Sequence, residues 1–205
     1  MRIGIDFDNT LVCYDQLFWT LAHERGLIDD SIPHRKDAIR DDLRRRGLEP
    51  TWTAMQGEAY GPRIVDAKPF PGAIQALQEF RQRGWAVEVI SHKTHVPYAG
   101  PEYDLHAAAQ NWLKHQGLVN DDANTSLVDA VHLELTKQEK LNRIAHAECD
   151  WFIDDLPELL TDSAFPINVS RALFDPHRQY SCRPEFHVLH EWSQAAMLFE
   201  SKERS

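Results

Sequence analysis

Ile3-Gly4-Ile5 is a short apolar run that breaks off at once into acidic and turn-forming residues, Asp6-Phe7-Asp8-Asn9-Thr10-Leu11. A run bounded so abruptly reads as a buried strand that delivers its last side chains to one edge of a sheet. The pattern returns twice: Trp85 to Ile90 ends at Ser91, and Trp151-Phe152-Ile153 ends at Asp154-Asp155. Val128 to Leu133 and Val169 to Phe174 read as further strands. Between them lie helical periods. One starts at Pro71-Gly72, turns Ile74, Leu77 and Phe80 inward and stops at Gly84. Others run from about Glu102 to Gln116, with Gly117 as C-cap, from Lys137 to Ala147, and from about Glu191 to Phe199. Strands alternating with helices predict an α/β fold, a Rossmann-like three-layer arrangement around a parallel sheet.

Cys13 to Lys68 is too long and too polar for a simple crossover, and shows helical periodicity near 16–25 and 35–46. It is expected to be a small α-helical insertion in a core formed by residues 1–12 and 69–205, which suits a chain of 205 residues. The formal net charge of -10 argues against a protein that grips a nucleic-acid backbone, and a small ligand fits better. No run approaches the roughly 18 apolar residues of a membrane span, and the first residues lack a signal-peptide core. Cys13, Cys149 and Cys182 form no CxxC pair and read as reduced thiols. A cytoplasmic protein is expected.

In a parallel sheet, ligands bind beyond the carboxyl ends of strands whose connections leave in opposite directions. If these strands are neighbours, Asp6 and Asp8, Asp154 and Asp155, and Ser91 with His92 and Lys93 converge on one crevice. Four carboxylates there would repel one another unless a cation shared them, and all-oxygen ligation favours magnesium. Just past a strand end, the first aspartate of Asp-x-Asp can act as nucleophile while the second gives and takes a proton. A lysine would neutralise phosphoryl oxygens. Lys137 is placed for that task, with Lys140 one turn later as the alternative.

The sequence resembles the haloacid dehalogenase (HAD) superfamily through four short motifs: Asp6-Phe7-Asp8-Asn9-Thr10-Leu11, Ser91 after an apolar strand, Lys137, and Phe152-Ile153-Asp154-Asp155. The resemblance spans about residues 1 to 160. It implies a phosphatase with Asp6 as nucleophile and Asp8 as general acid/base, working through an aspartyl-phosphate. Ser91, His92 and Lys137 are then the candidate phosphate-binding residues. Asp6, Asp8 (through its carbonyl), Asp154 and Asp155 are the candidate Mg²⁺ residues, with Asp155 the direct ligand and Asp154 its support. The insertion becomes a cap that closes over the site and selects a small phosphorylated metabolite. Tyr14, Trp19, Arg35, Arg40, Trp52 and Arg63 are its candidate contacts. Sugar phosphates and nucleoside monophosphates both remain open, as do a phosphomutase or a non-catalytic binding protein of the same fold. His92 with His95, and His187 with His190, lack an acidic or cysteine partner at a zinc-like interval. Arg44-Arg45-Arg46 reads as a solvated helix face.

Overall fold

The computed structural model describes residues 1–181 and 183–203; Cys182 lies outside them. The chain runs β1 (Arg2–Ile5), β2 (Val12–Cys13), α1 (Asp15–Glu24), α2 (Lys36–Arg45), α3 (Glu49–Tyr60), β3 (Lys68–Pro69) and α4 (Ala73–Gln82). It continues with β4 (Ala86–His92), α5 (Leu105–His115), β5 (Ala130–Glu134), α6 (Lys137–His146) and β6 (Trp151–Asp154), then α7 (Pro157–Leu160), β7 (Ser170–Phe174), β8 (His187–Leu189) and α8 (Ala195–Glu203). Six strands form one sheet in the order β5-β4-β1-β6-β7-β8, every pair parallel. The expected three-layer α/β architecture is therefore the observed one.

Strand alternation divides the core. Ile3, Ile5, Val87, Val89, Trp151 and Ile153 point to one face and join the larger apolar cluster. Ile90, Phe152 and Leu173 point to the other, against Leu141, Ile144, Leu159 and Leu160. Gly4 lies where the layers leave no room: a Cβ there would stand 2.6 Å from Phe152 Cδ2 and 2.9 Å from Cys149 Sγ. No helix among the described residues is long and apolar enough to cross a membrane.

β1 is flanked by β4 and β6, so the chain leaves the sheet centre in opposite directions, and the crevice opens above its carboxyl end. Register decides what meets there. Ile5 pairs with Val89 on one side and with Ile153 on the other, which brings Asp6 level with the ends of both neighbours. Asn9 has φ +60°, a left-handed turn that asparagine tolerates better than most residues. That turn sends the chain back, with Leu11 and Val12 donating to the Phe7 carbonyl, into the short antiparallel ribbon of β2 and β3. Helices α1, α2 and α3 lie between those two strands.

Five of these elements had no counterpart in the sequence reading: the two-residue ribbon strands β2 and β3, the helices α3 and α7, and the three-residue β8. The β4 strand also runs two residues further than expected, through Ser91 and His92.

Candidate active site

Asp6 is 5% exposed and held from three directions. Ser91 Oγ donates to its Oδ1 at 2.9 Å, Lys140 Nζ donates to the same oxygen at 2.6 Å, and Thr10 Oγ1 approaches Oδ2 at 3.5 Å. Lys140 also donates to Asp154 Oδ2 at 2.6 Å, while the Leu156 amide donates to Asp154 Oδ1. Carboxylate oxygens of Asp6, Asp154 and Asp155 all lie within 4.8 Å of one another.

Two of these three carboxylates share the Lys140 ammonium and the third has no ion pair among the described residues, and the imbalance shows in their proton affinities. Burial, reinforced by the charge of Asp6 and opposed by Lys140, pushes the Asp154 carboxyl up to about 7. Burial together with Asp154 and Asp6 raises Asp155 well above the usual carboxylate range. Lys140 goes the other way: burial disfavours its charge, but Asp154 and Asp6 outweigh that and raise its pKa. The uncompensated negative charge and the all-oxygen donors fit a hard divalent cation. Asp6, Asp154 and Asp155 are the residues that would hold it.

Asp8 stands apart from this cluster and faces a different set of partners. Lys93 Nζ donates to both its oxygens, at 3.0 and 2.7 Å, and Tyr14 Oη donates to Oδ1 at 2.6 Å. Burial alone would raise the Asp8 carboxyl; the charge and hydrogen bonds of Lys93, with the bond from Tyr14, hold it below its ordinary value. Lys93 is itself 4% exposed and lies over the rings of Phe7 and Tyr60. His106 Nε2 bonds to its carbonyl at 2.8 Å.

Asp6, Asp154, Asp155 and Ser91 meet as the sequence reading required, with Asp8 on the flank. His92 is exposed, in the wall of a cavity beside Asp8. Lys137 does not come to the cluster: its side chain is 51% exposed and pairs with Asp162 at 2.5 Å. The first turn of α6, capped by Thr136, is still at the surface, and only the next turn brings a lysine, 3% exposed, into the crevice. Lys140 thus occupies the place expected of Lys137.

Of the six contacts expected from the insertion, Tyr14 reaches Asp8 and Arg40 lines an opening beside Asp155. Trp52 is buried against Phe18, and Trp19 stacks on His23 and His34. Arg35 pairs with Asp37, and Arg63 with Asp66 and Glu24. Lys36 was not among those expected contacts, yet its Nζ donates to Asn9 Oδ1 at 2.9 Å and lies over the rings of Tyr14, Phe18 and Tyr60. Burial disfavours its charge, but Tyr60, Asp155 and Asp8 raise its pKa.

Neither the protein-family models nor the curated proteins give a match. Solved structures do. A HAD-superfamily hydrolase from Ehrlichia chaffeensis aligns over 98% of this chain and 96% of its own, with a TM-score of 0.57 and 13% identity. The chain has the HAD-superfamily fold. L-2-haloacid dehalogenase from Xanthobacter autotrophicus aligns over 97% of this chain and 98% of its own, at a TM-score of 0.54 and 15% identity. The HAD-hydrolase YfnB from Bacillus subtilis, solved bound to magnesium, covers 97% of each chain at a TM-score of 0.51 and 11% identity. These structures carry dehalogenase names and unspecified HAD-hydrolase names at similar distance, so the chemistry has to be argued from the side chains.

Proposed function

We propose that this chain is a magnesium-dependent phosphohydrolase acting on a small phosphomonoester. The carrying observation is the division of labour between two aspartates: Asp6 beside Ser91, Lys140, Asp154 and Asp155, and Asp8 turned toward a separate cavity by Lys93 and Tyr14. Magnesium held by Asp6, Asp154 and Asp155 would neutralise phosphoryl oxygens. Asp6 attacks phosphorus and forms the aspartyl-phosphate as the ester oxygen leaves. Asp8 passes a proton to that oxygen and takes one back from the water that attacks the intermediate. Its depressed pKa makes it the carboxylate at rest, the form needed in the second step. The proton for the first can come from the phosphomonoester, whose second pKa is about 6. Lys140 and Ser91 bind phosphoryl oxygens.

A dehalogenase has no use for Asp8. A phosphonatase needs a neutral amine for a Schiff base, and Lys36, the lysine nearest the site from the insertion, is kept protonated. We read residues 13–68 as the cap, since Tyr14 and Lys36 bridge it to Asp8 and Asn9. The free thiols Cys13 and Cys149 go with a cytoplasmic setting. The test is phosphate release from a panel of phosphomonoesters with magnesium, comparing wild type with Asp6→Asn. The variant should lose all turnover; full retention would sink the reading.

A further inference from the structure

Two openings flank the site. One, of about 270 Å³, lies beside Asp155, and Asp15, Asp37 and Asp175 join Asp155 in its wall. The other, of about 140 Å³, lies between α3 and the loop after β4, and Asp8 is in its wall. A group that protonates a leaving oxygen must stand within hydrogen-bond reach of it. Asp8 borders only the second opening of the two; the wall of the first mixes its carboxylates with Lys36, Arg40 and His177, so it is the position of Asp8 that decides between them.

The lining of that cavity is selective. Thr53 Oγ1 spends its proton on the Glu49 carbonyl and Thr94 Oγ1 on that of Val96, so both hydroxyls offer only lone pairs to a ligand. The Gln56 amide adds one more acceptor, along with its NH₂ donors. These acceptors suit a ligand with O–H donors, and the Gly57, Pro97 and Leu105 part of the wall suits the carbon faces of a ring. The one buried cation, Lys93, is neutralised by Asp8. The ammonium groups of Lys93 and Lys36 lie 5.0 and 5.3 Å from the centre of the Tyr60 ring, which leaves the exposed side chains of His92 and Tyr98 as the open aromatic faces of the wall; size, not the lack of a ring, is what argues against a nucleoside. The size is that of one ring, since a cavity of roughly 150 Å³ holds a benzene. The cavity is also firmly walled: a Cβ on Gly57 of α3 would stand 2.8 Å from Pro97 Cβ and 2.9 Å from the Ala99 carbonyl.

We propose that the alcohol portion of the substrate occupies the cavity between α3 and the 94–104 loop, and that it is a compact, uncharged polyol of about one sugar ring rather than a nucleoside. This rests on the phosphohydrolase reading, and the test therefore measures binding instead of turnover. Calorimetric titration of Asp6→Asn protein with magnesium would use glucose 6-phosphate, AMP and inorganic phosphate as probes. Glucose 6-phosphate should bind at least tenfold more tightly than AMP. Adding Thr53→Phe, which fills the cavity, should weaken glucose 6-phosphate at least tenfold and inorganic phosphate less than twofold; Gln56→Phe fills it from a second position and should do the same. Arg40→Phe, in the other opening, should leave the glucose 6-phosphate affinity within twofold. AMP binding as tightly as glucose 6-phosphate overturns the proposal, as does a glucose 6-phosphate affinity lowered by Arg40→Phe but not by the two filling variants. Failure of the phosphohydrolase reading would show separately, as wild-type protein that releases no phosphate.

Discussion

Replacing Lys140 by Met removes the only ammonium among the described residues that touches both Asp6 and Asp154, while a side chain of similar length still fills the space. Asp154 is fully buried and Asp6 nearly so, so neither carboxylate can recover water in exchange. Breaking a buried ion pair by removing one partner typically costs about 3–5 kcal/mol, and here two pairs are broken at once. The same change at Lys137 breaks one pair with Asp162 at a half-exposed side chain, worth about 0–1 kcal/mol. Urea unfolding in EDTA should therefore separate the variants, with the midpoint of Lys140→Met far below that of Lys137→Met. Adding magnesium should restore part of the loss, because a divalent cation supplies the charge that Lys140 gave. Phosphate release separates them again. Loss of one preorganised charge at a developing oxyanion costs about 10²–10³ in kcat, expected for Lys140→Met and absent for Lys137→Met. A Lys137→Met variant that is the less active or the less stable of the two would refute the assignment of this role to Lys140.

Stability in EDTA should fall between pH 5 and pH 8. The Asp154 carboxyl, at about 7 in the fold against 3.8 ordinarily, binds more protons folded than unfolded across that window, so the folded state loses ground as pH rises. Magnesium competes with those protons, so its stabilising shift in melting temperature should be larger at pH 8 than at pH 5; a shift that shrinks with pH would contradict the charge imbalance. Gly57→Ala should destabilise by about 1–3 kcal/mol, because the new methyl meets Pro97 and a backbone carbonyl, and denaturant unfolding that finds no loss would show that the loop yields.

The parts of this molecule that were legible in the sequence are those whose partners are fixed by strand register. Ile3 to Ile5 and Trp151 to Ile153 carry their own burial signal, and once three parallel strands lie side by side their polar ends must meet. Lys140 was less legible because Lys137 lies three residues earlier, on nearly the same helix face. What separates them is depth, and depth is set by where Thr136 starts the helix. Lys93 was named at the strand end but given no role, for a related reason. Ending β4 at Ile90 left Ser91, His92 and Lys93 as an undifferentiated polar edge. With the strand continued through His92, alternation turns Ser91 inward, His92 outward and Lys93 inward again, which is the observed pattern of burial.

Helix α3 hid for a different reason. Pro50, Thr51, Thr53 and Gly57 weaken its intrinsic helicity, and its buried residues Trp52, Met55, Gly57 and Ala59 face more than one neighbour and form no single stripe. Its helicity comes from packing against α1 and α2 and, at Gly57, against the loop after β4. The same multi-sided packing makes it a wall of the cavity beside Asp8. On the proposed reading, a helix hidden in the sequence is thus the one that would choose the substrate, and the residues proposed to react could be read from the strand ends while those proposed to hold the alcohol could not.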